Sequence, residues 1–206
     1  GSDDDTYPNL GAGRLNYRFG GAISNPVPFG ALSLDGNLSD WSSVTSFGRD
    51  GDDISVAGAQ ADWMETWMAH DSSTIYLAYE NDGAINTANW WPWQVFIDTD
   101  NNPATGFSAG PGMGAEYVLE GANLQRYIGD GSSWSWEYVG GTSRGVSGSN
   151  AEISFARSSI GNPSVFRVMF RTINAAFTGS YAAEGFDYFP NNATSSADGY
   201  FSYRMQ

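Results

Sequence analysis

The chain has 206 residues, a net charge of −14, no cysteine and no lysine, so all nine basic residues are arginine. A surface this acidic repels nucleic acid and anionic lipid, and neither a nucleic acid nor a membrane is expected as a partner. Without cysteine there is no disulfide and no thiol chemistry, and no stretch approaches the ~18 apolar residues of a membrane span.

Glycine is frequent, and Gly, Ser, Asn and Asp recur at short intervals between aromatic-rich runs. That is the pattern of many short strands joined by tight turns. Residues 1–29 are punctuated by glycine and proline. They read as an N-terminal extension or a first strand (LNYRF, 15–19) packed on the main body. ALSLDG (31–36) reads as a short strand ending in a turn, followed by Asp40 and Trp41, the latter in a structural role. GRDGDD (48–53) is a cluster of carboxylates in a loop.

DWMETWMAHD (62–71) and STIYLAYEN (73–81) flank a turn at Asp71–Ser72. Ile75, Leu77 and Tyr79 alternate with Tyr76, Ala78 and Glu80, which predicts a hairpin of period two. Trp63 and Trp67, four apart, are expected on one face of their strand. WQVFID (93–98) is a further strand, with AEYVLE (115–120) as its partner. LQRYIG and WSWEYVG (124–129, 134–140) form a second hairpin. AEISFA (151–156), VFRVMFRTI (165–173) and DGYFSYRM (198–205) complete the set, with a helical turn near 157–161. About ten strands at hairpin spacing predict an all-β sandwich or jelly roll in one domain, residues 30–206.

FIDTDNNPATGF (96–107) ends an apolar strand in oxygen-bearing side chains. Asp98, Asp100 and Asn102 alternate and can turn inward around one point. Calcium takes six to eight hard oxygen ligands, and Thr105, backbone carbonyls and Glu116 of the next strand can join them. The loop starts like an EF-hand, but Pro103 stands where that loop needs glycine and Ala109 where it needs glutamate. The other reading is an Asx-rich turn that caps its own backbone. With one histidine and no cysteine, no zinc site is expected.

The ordered motifs LDGNLSDW (34–41), AHDSSTIYLAYE (69–80), FIDTDNNPATGF (96–107), GAEYVLE (114–120), AEISFARSSIG (151–161) and FDYFPN (186–191) resemble those of carbohydrate-binding module family 9 and the related DOMON-like sandwiches. Glu116 stands where that family has aspartate. The resemblance implies a two-sheet antiparallel sandwich with bound calcium that binds sugar without catalysis. Zero cysteine, acidity and many aromatics fit a secreted bacterial protein, and the module is expected to be a monomer tethered to a catalytic domain that it brings to a polysaccharide or oligosaccharide. A calcium-loaded adhesion domain binding glycan or peptide is the alternative.

Sugar rings stack their C–H faces on aromatic rings while polar neighbours bond their hydroxyls. NWWPW offers Trp90, Trp91 and Trp93 at the stiffened entry to a strand, of which one face at most is core. Trp134, Trp136 and Tyr138 alternate along a hairpin strand and form either a flat outward platform or ordinary core. Gln125 and Arg126 lie across from them as hydroxyl partners, with Gln94, Glu65 and Asn89 as further polar candidates. No catalytic motif is present, so an enzyme is not expected. His70 is the one histidine, and Met68 shares its strand face, which disfavours a haem held between them.

Overall fold

The computed structural model describes residues 22–50, 62–88, 93–173, 186–190 and 199–206. The LNYRF stretch, residues 51–53 of the carboxylate cluster, and Asn89, Trp90 and Trp91 lie outside the described residues. The strands, in chain order, are β1 (Ser46–Arg49), β2 (Trp63–His70), β3 (Thr74–Asn81), β4 (Trp93–Asp98), β5 (Phe107–Gly110), β6 (Met113–Ala115) and β7 (Tyr117–Glu120). They continue as β8 (Asn123–Tyr127), β9 (Trp136–Gly141), β10 (Ser143–Ser147), β11 (Asn150–Ala156), β12 (Val165–Ile173), β13 (Phe186–Phe189) and β14 (Phe201–Arg204).

The chain is a two-sheet antiparallel β-sandwich. One sheet runs β1-β2-β3-β11-β10, and the other β13-β12-β4-β7-β8-β9, with β14 also paired to β12. β14 and β13 lie end to end along one side of β12, at Val165–Val168 and Phe170–Ile173. A separate hairpin, β5-β6, lies off both sheets. Period-two alternation sends one set of side chains from each sheet into the space between them. Phe47, Trp63, Met68, Leu77 and Ile153 meet Trp93, Val95, Leu119, Phe170 and Phe201 there. The Trp63 and Phe170 rings are 5.4 Å apart, edge to face.

Two further apolar layers explain why β3 and β4 are buried on both faces. The β5-β6 hairpin covers Phe96, Val118 and Met169 on the outer face of the larger sheet. A strap carrying Leu32, Trp41 and Val44 covers Ala69, Tyr76 and Ala78 on the outer face of the smaller one. ALSLDG belongs to this strap and is not a strand; its apolar residues pack downward from irregular backbone, beside the 3-10 turn Leu38–Ser43. Trp63 and Trp67 do not share a face. A bulge between Trp63 and Glu65 shifts the register, which puts Trp63 between the sheets and Trp67 against the strap.

Residues 22–27 stitch the two sheets at one edge. Ile23 bridges Tyr203 of β14, and Pro26 bridges His70 of β2. The amide of Gln206 donates to His70 Nε2 at 3.2 Å, which leaves Nδ1–H to donate to the Tyr203 hydroxyl at 2.8 Å. Both ring nitrogens are thus engaged, and burial, with Arg157 nearby, holds the imidazole pKa below its ordinary value. His70 is a structural residue.

The strap is pinned by a single buried carboxylate. Glu152 of β11 accepts Trp41 Nε1–H at 2.7 Å on one oxygen, and the amides of Asp35 and Gly36 at 2.9 and 2.6 Å on the other. Burial pushes its pKa up, and these three donors pull it back. Glu152→Ala strands all three N–H groups, at a cost of about 3 kcal/mol or more. For a domain of this size that corresponds to a melting temperature lower by roughly 6–12 °C. A variant that melts with wild type in a calorimetric scan would show that the strap is held by its apolar contacts alone.

Candidate functional site

The functional candidates gather on the outer face of the larger sheet and at the end of β4. β4 ends at Asp98, whose carboxylate is fully buried. The chain then turns through Asn101, in the left-handed region at φ 60 and anchored by its side-chain amide to the Val165 carbonyl at 3.1 Å. The amide of Asn102 donates to Asp98 Oδ1 at 3.2 Å and to Asp100 Oδ1 at 2.9 Å. The Thr105 hydroxyl donates to Asp100 at 2.9 Å and lies 2.9 Å from the Asn102 carbonyl. Glu116 sits in the break between β6 and β7, and its Oε2 accepts the Thr99 amide at 2.8 Å.

One carboxylate oxygen from each of Asp98, Asp100 and Glu116 lies within 4.8 Å of the others. Burial pushes the Asp98 and Glu116 carboxyls up from their ordinary values, and the neighbouring charges add to this for both. Arg167 opposes it at Asp98, with Nη1 at 3.4 Å from Oδ2, but that guanidinium nitrogen also donates to the Gly112 carbonyl. Glu116 Oε1 is buried with no hydrogen-bond partner among the described residues. The backbone of Gly106 comes close to it, and that of Gly114 is crowded by the loop carbonyls. A Cβ on Gly106 would stand 2.8 Å from Glu116 Oε1, and one on Gly114 would collide with the Thr105 carbonyl and lie 2.5 Å from that of Asn102. Crowded carboxylates, an orphaned carboxylate oxygen and nearby carbonyls fit a hard cation that prefers oxygen. The Asn102 side-chain oxygen accepts the Ala104 amide at 3.1 Å, an Asx turn within the same loop. The cation reading fits the three carboxylates.

The loop leads into β5 and so reaches the second part of the site. Phe107 stacks on Phe96 of β4 with centroids 5.8 Å apart and planes at 20°. It meets Trp134 edge to face at 5.3 Å and Trp136 at 5.6 Å. Ser108 donates its amide to the Gly131 carbonyl at 2.8 Å, tying β5 to the loop that carries Trp134. Trp134 is 44% exposed.

Beside Trp134 runs a chain of side-chain hydrogen bonds. Arg171 donates through Nε and Nη2 to Gln94 Oε1 at 2.8 and 2.6 Å. Gln94 Nε2 then donates to Glu120 Oε1 at 2.8 Å, and Gln125 Nε2 to Glu120 Oε2 at 2.9 Å. The arginine fixes which way the Gln94 amide points, and the carboxylate fixes Gln125, so that Gln125 holds its oxygen away from Glu120. The Arg171 guanidinium lies 4.7 Å from the Phe96 ring and 5.4 Å from that of Trp134.

The structure links Gln125 to Gln94 through Glu120 and sets Trp134 beside Arg171 at the other end of that chain, with Gln94 itself buried beneath the face, and it separates other candidates from them. Trp93 is 3% exposed and packs between the sheets, because it alternates with Gln94 on β4 and takes the inner face. Arg126 lies on the opposite face from Gln125 for the same reason, and pairs with Glu137 at 2.7 Å. Trp136 is half-buried against the hairpin. Its ring meets that of Trp134 at 65°, so the two do not make a flat platform. Glu120 and Arg171 belong to the site and escaped the sequence reading. The signal for Arg171 was the outward register of VFRVMFRTI, in which Arg167, Met169 and Arg171 alternate with Phe166, Val168 and Phe170.

No family model matches the chain, and no curated protein matches it. Among solved structures it is similar to a carbohydrate-binding module of family 9 from Caldicellulosiruptor kristjanssonii in complex with glucose. The two are 13% identical, with 90% of this chain and 94% of that one covered and a TM-score of 0.46.

Proposed function

We propose that the chain is a non-catalytic carbohydrate-binding module, secreted by a bacterium and appended to a polysaccharide-active enzyme, and that calcium organises its binding face. The single observation that carries this reading is Trp134, exposed beside the fixed Arg171–Gln94–Glu120–Gln125 chain. A pyranose ring needs an apolar plate and, at its rim, donors and acceptors already pointed at its hydroxyls. Pre-ordered side chains lower the entropy cost of such binding. Both oxygens of Glu120 accept amide N–H groups, which suits holding a hydroxyl better than delivering a proton. Trp90 and Trp91, three and two residues ahead of Trp93 in sequence, are proposed as further stacking residues.

Calcium is the cation proposed for Asp98, Asp100 and Glu116, with the Thr105 hydroxyl and the carbonyls of Asn102 and Thr105 as the remaining oxygens. Its larger coordination number and flexible geometry suit an irregular loop better than the strict octahedron of magnesium. Added calcium should raise the melting temperature of the wild type, and Asp100→Asn, at an exposed position, should shrink that rise. An equal rise in both proteins would remove Asp100 from the ligand set.

Trp134→Ala is expected to weaken polysaccharide binding at least tenfold, the loss of a central aromatic anchor, with the melting temperature little changed. Calorimetric titration with soluble neutral polysaccharides checks this. Wild-type affinity in the folded variant would move the site off this face.

A further inference from the structure

Tyr138 lies on the same face as the proposed sugar site, four strands away from Arg171. Gln125 pairs with Tyr138 across β8 and β9, and Gln94 with Arg171 across β4 and β12. Gln94 pairs with Glu120, and Glu120 reaches diagonally, past its own partner Asn123, to bond Gln125, so Arg171, Gln94, Glu120, Gln125 and Tyr138 form an oblique line over five neighbouring strands: β12, β4, β7, β8 and β9. At a strand spacing of ~4.8 Å it is roughly 19 Å long. One pyranose ring cannot cover that span. Several joined rings can.

The far end of the row is shaped for stacking. Tyr138 is 63% exposed. Between Tyr138 and Gly140 the register of β9 shifts against β8: Gln125 faces Tyr138, Leu124 faces Gly140 and Asn123 faces Gly141. Leu124 packs in the core, so Gly140 takes the inner face, while Gly141 shares the outer face with Tyr138. A Cβ on Gly141 would lie 3.3 Å from the Tyr138 hydroxyl. A strand side chain ordinarily stands off the sheet; this one reclines along its strand over a glycine that leaves room for it. Its exposed ring carbons are open to the C–H faces of a sugar ring. The extra residue, Val139, is the bulge that brings Gly141 onto that face.

We propose that Tyr138 is a second stacking subsite and that the ligand is an extended, uncharged glycan chain lying across the strands of the larger sheet. This rests on the reading of the outer face as the sugar site. Trp134 and Arg171 hold one end of the glycan, Glu120 and Gln125 bond hydroxyls along the middle, and Tyr138 carries a unit at the other end. The overall charge of −14, with Glu120 at the centre of the row, works against chains of uronic acid units.

The test compares affinities for single sugars and for hexasaccharides of glucose, xylose and mannose series, by calorimetric titration of wild type, Tyr138→Ala, Tyr138→Phe and Trp134→Ala. Wild type should gain affinity with chain length. Tyr138→Ala should bind the preferred hexasaccharide roughly threefold to tenfold more weakly, the worth of one aromatic contact, and Tyr138→Phe should restore it. Hexasaccharide affinity unchanged in Tyr138→Ala, or no gain with length in wild type, overturns the second subsite while Trp134→Ala still loses binding. Undiminished binding by Trp134→Ala instead overturns the reading of the face itself, and the subsite with it.

Discussion

The end of β4 gathers negative charge in a place that water does not reach well. Asp98 is fully buried, Glu116 and Asp100 converge on it, and Arg167 supplies one nearby positive charge. Desolvation penalises the ionised carboxyls of Asp98 and Glu116, and the charge of Asp100 beside them adds to it. A cation removes that penalty and at the same time fixes the loop. The loop is joined by Gly106 to Phe107, and Phe107 is wedged among Phe96, Trp134 and Trp136. In the proposed account, the charge balance at the carboxylates acts on the exposed tryptophan through a short run of backbone and one ring.

The sheet supplies rigidity to the rest of the face. Gln94, Glu120 and Gln125 project from strands whose other side is packed core, and Arg171 comes from β12, a long strand paired on both of its sides. Their hydrogen bonds join side chains that are already held by the ladder, so little freedom remains to be lost when a ligand arrives. Carboxylate and amides in one line favour a ligand rich in hydroxyls. The aromatic rings beside them favour one with apolar C–H faces.

Much of this was legible in the sequence, and the rest was hidden for definable reasons. The alternation in STIYLAYEN and the apolar runs WQVFID and VFRVMFRTI located β3, β4 and β12, because strands of this length carry enough buried side chains to stand out. Short glycine-bearing strands such as β1, β5 and β10 carry too few side chains to show a period, and were missed. ALSLDG imitates a strand because a strap packed on a sheet also needs alternate apolar residues. Bulges at Met64 and Val139 defeat any count of faces, since each inserts a residue that only pairing reveals. The carboxylates of the acidic loop were visible from local spacing. The Arg171–Gln94 bond joins residues 77 apart in sequence and exists only through strand order.

The central claim is that a cation at the carboxylates maintains a sugar-binding face one short segment away. The most direct test is affinity electrophoresis of the wild-type protein through gels containing single neutral polysaccharides, run with calcium and again with excess chelator. The account predicts retardation on at least one polysaccharide in calcium, and markedly less in chelator while the protein remains folded. Equal retardation under both conditions would break the link between the acidic loop and Trp134. Free migration through every gel would contradict the sugar-binding face itself.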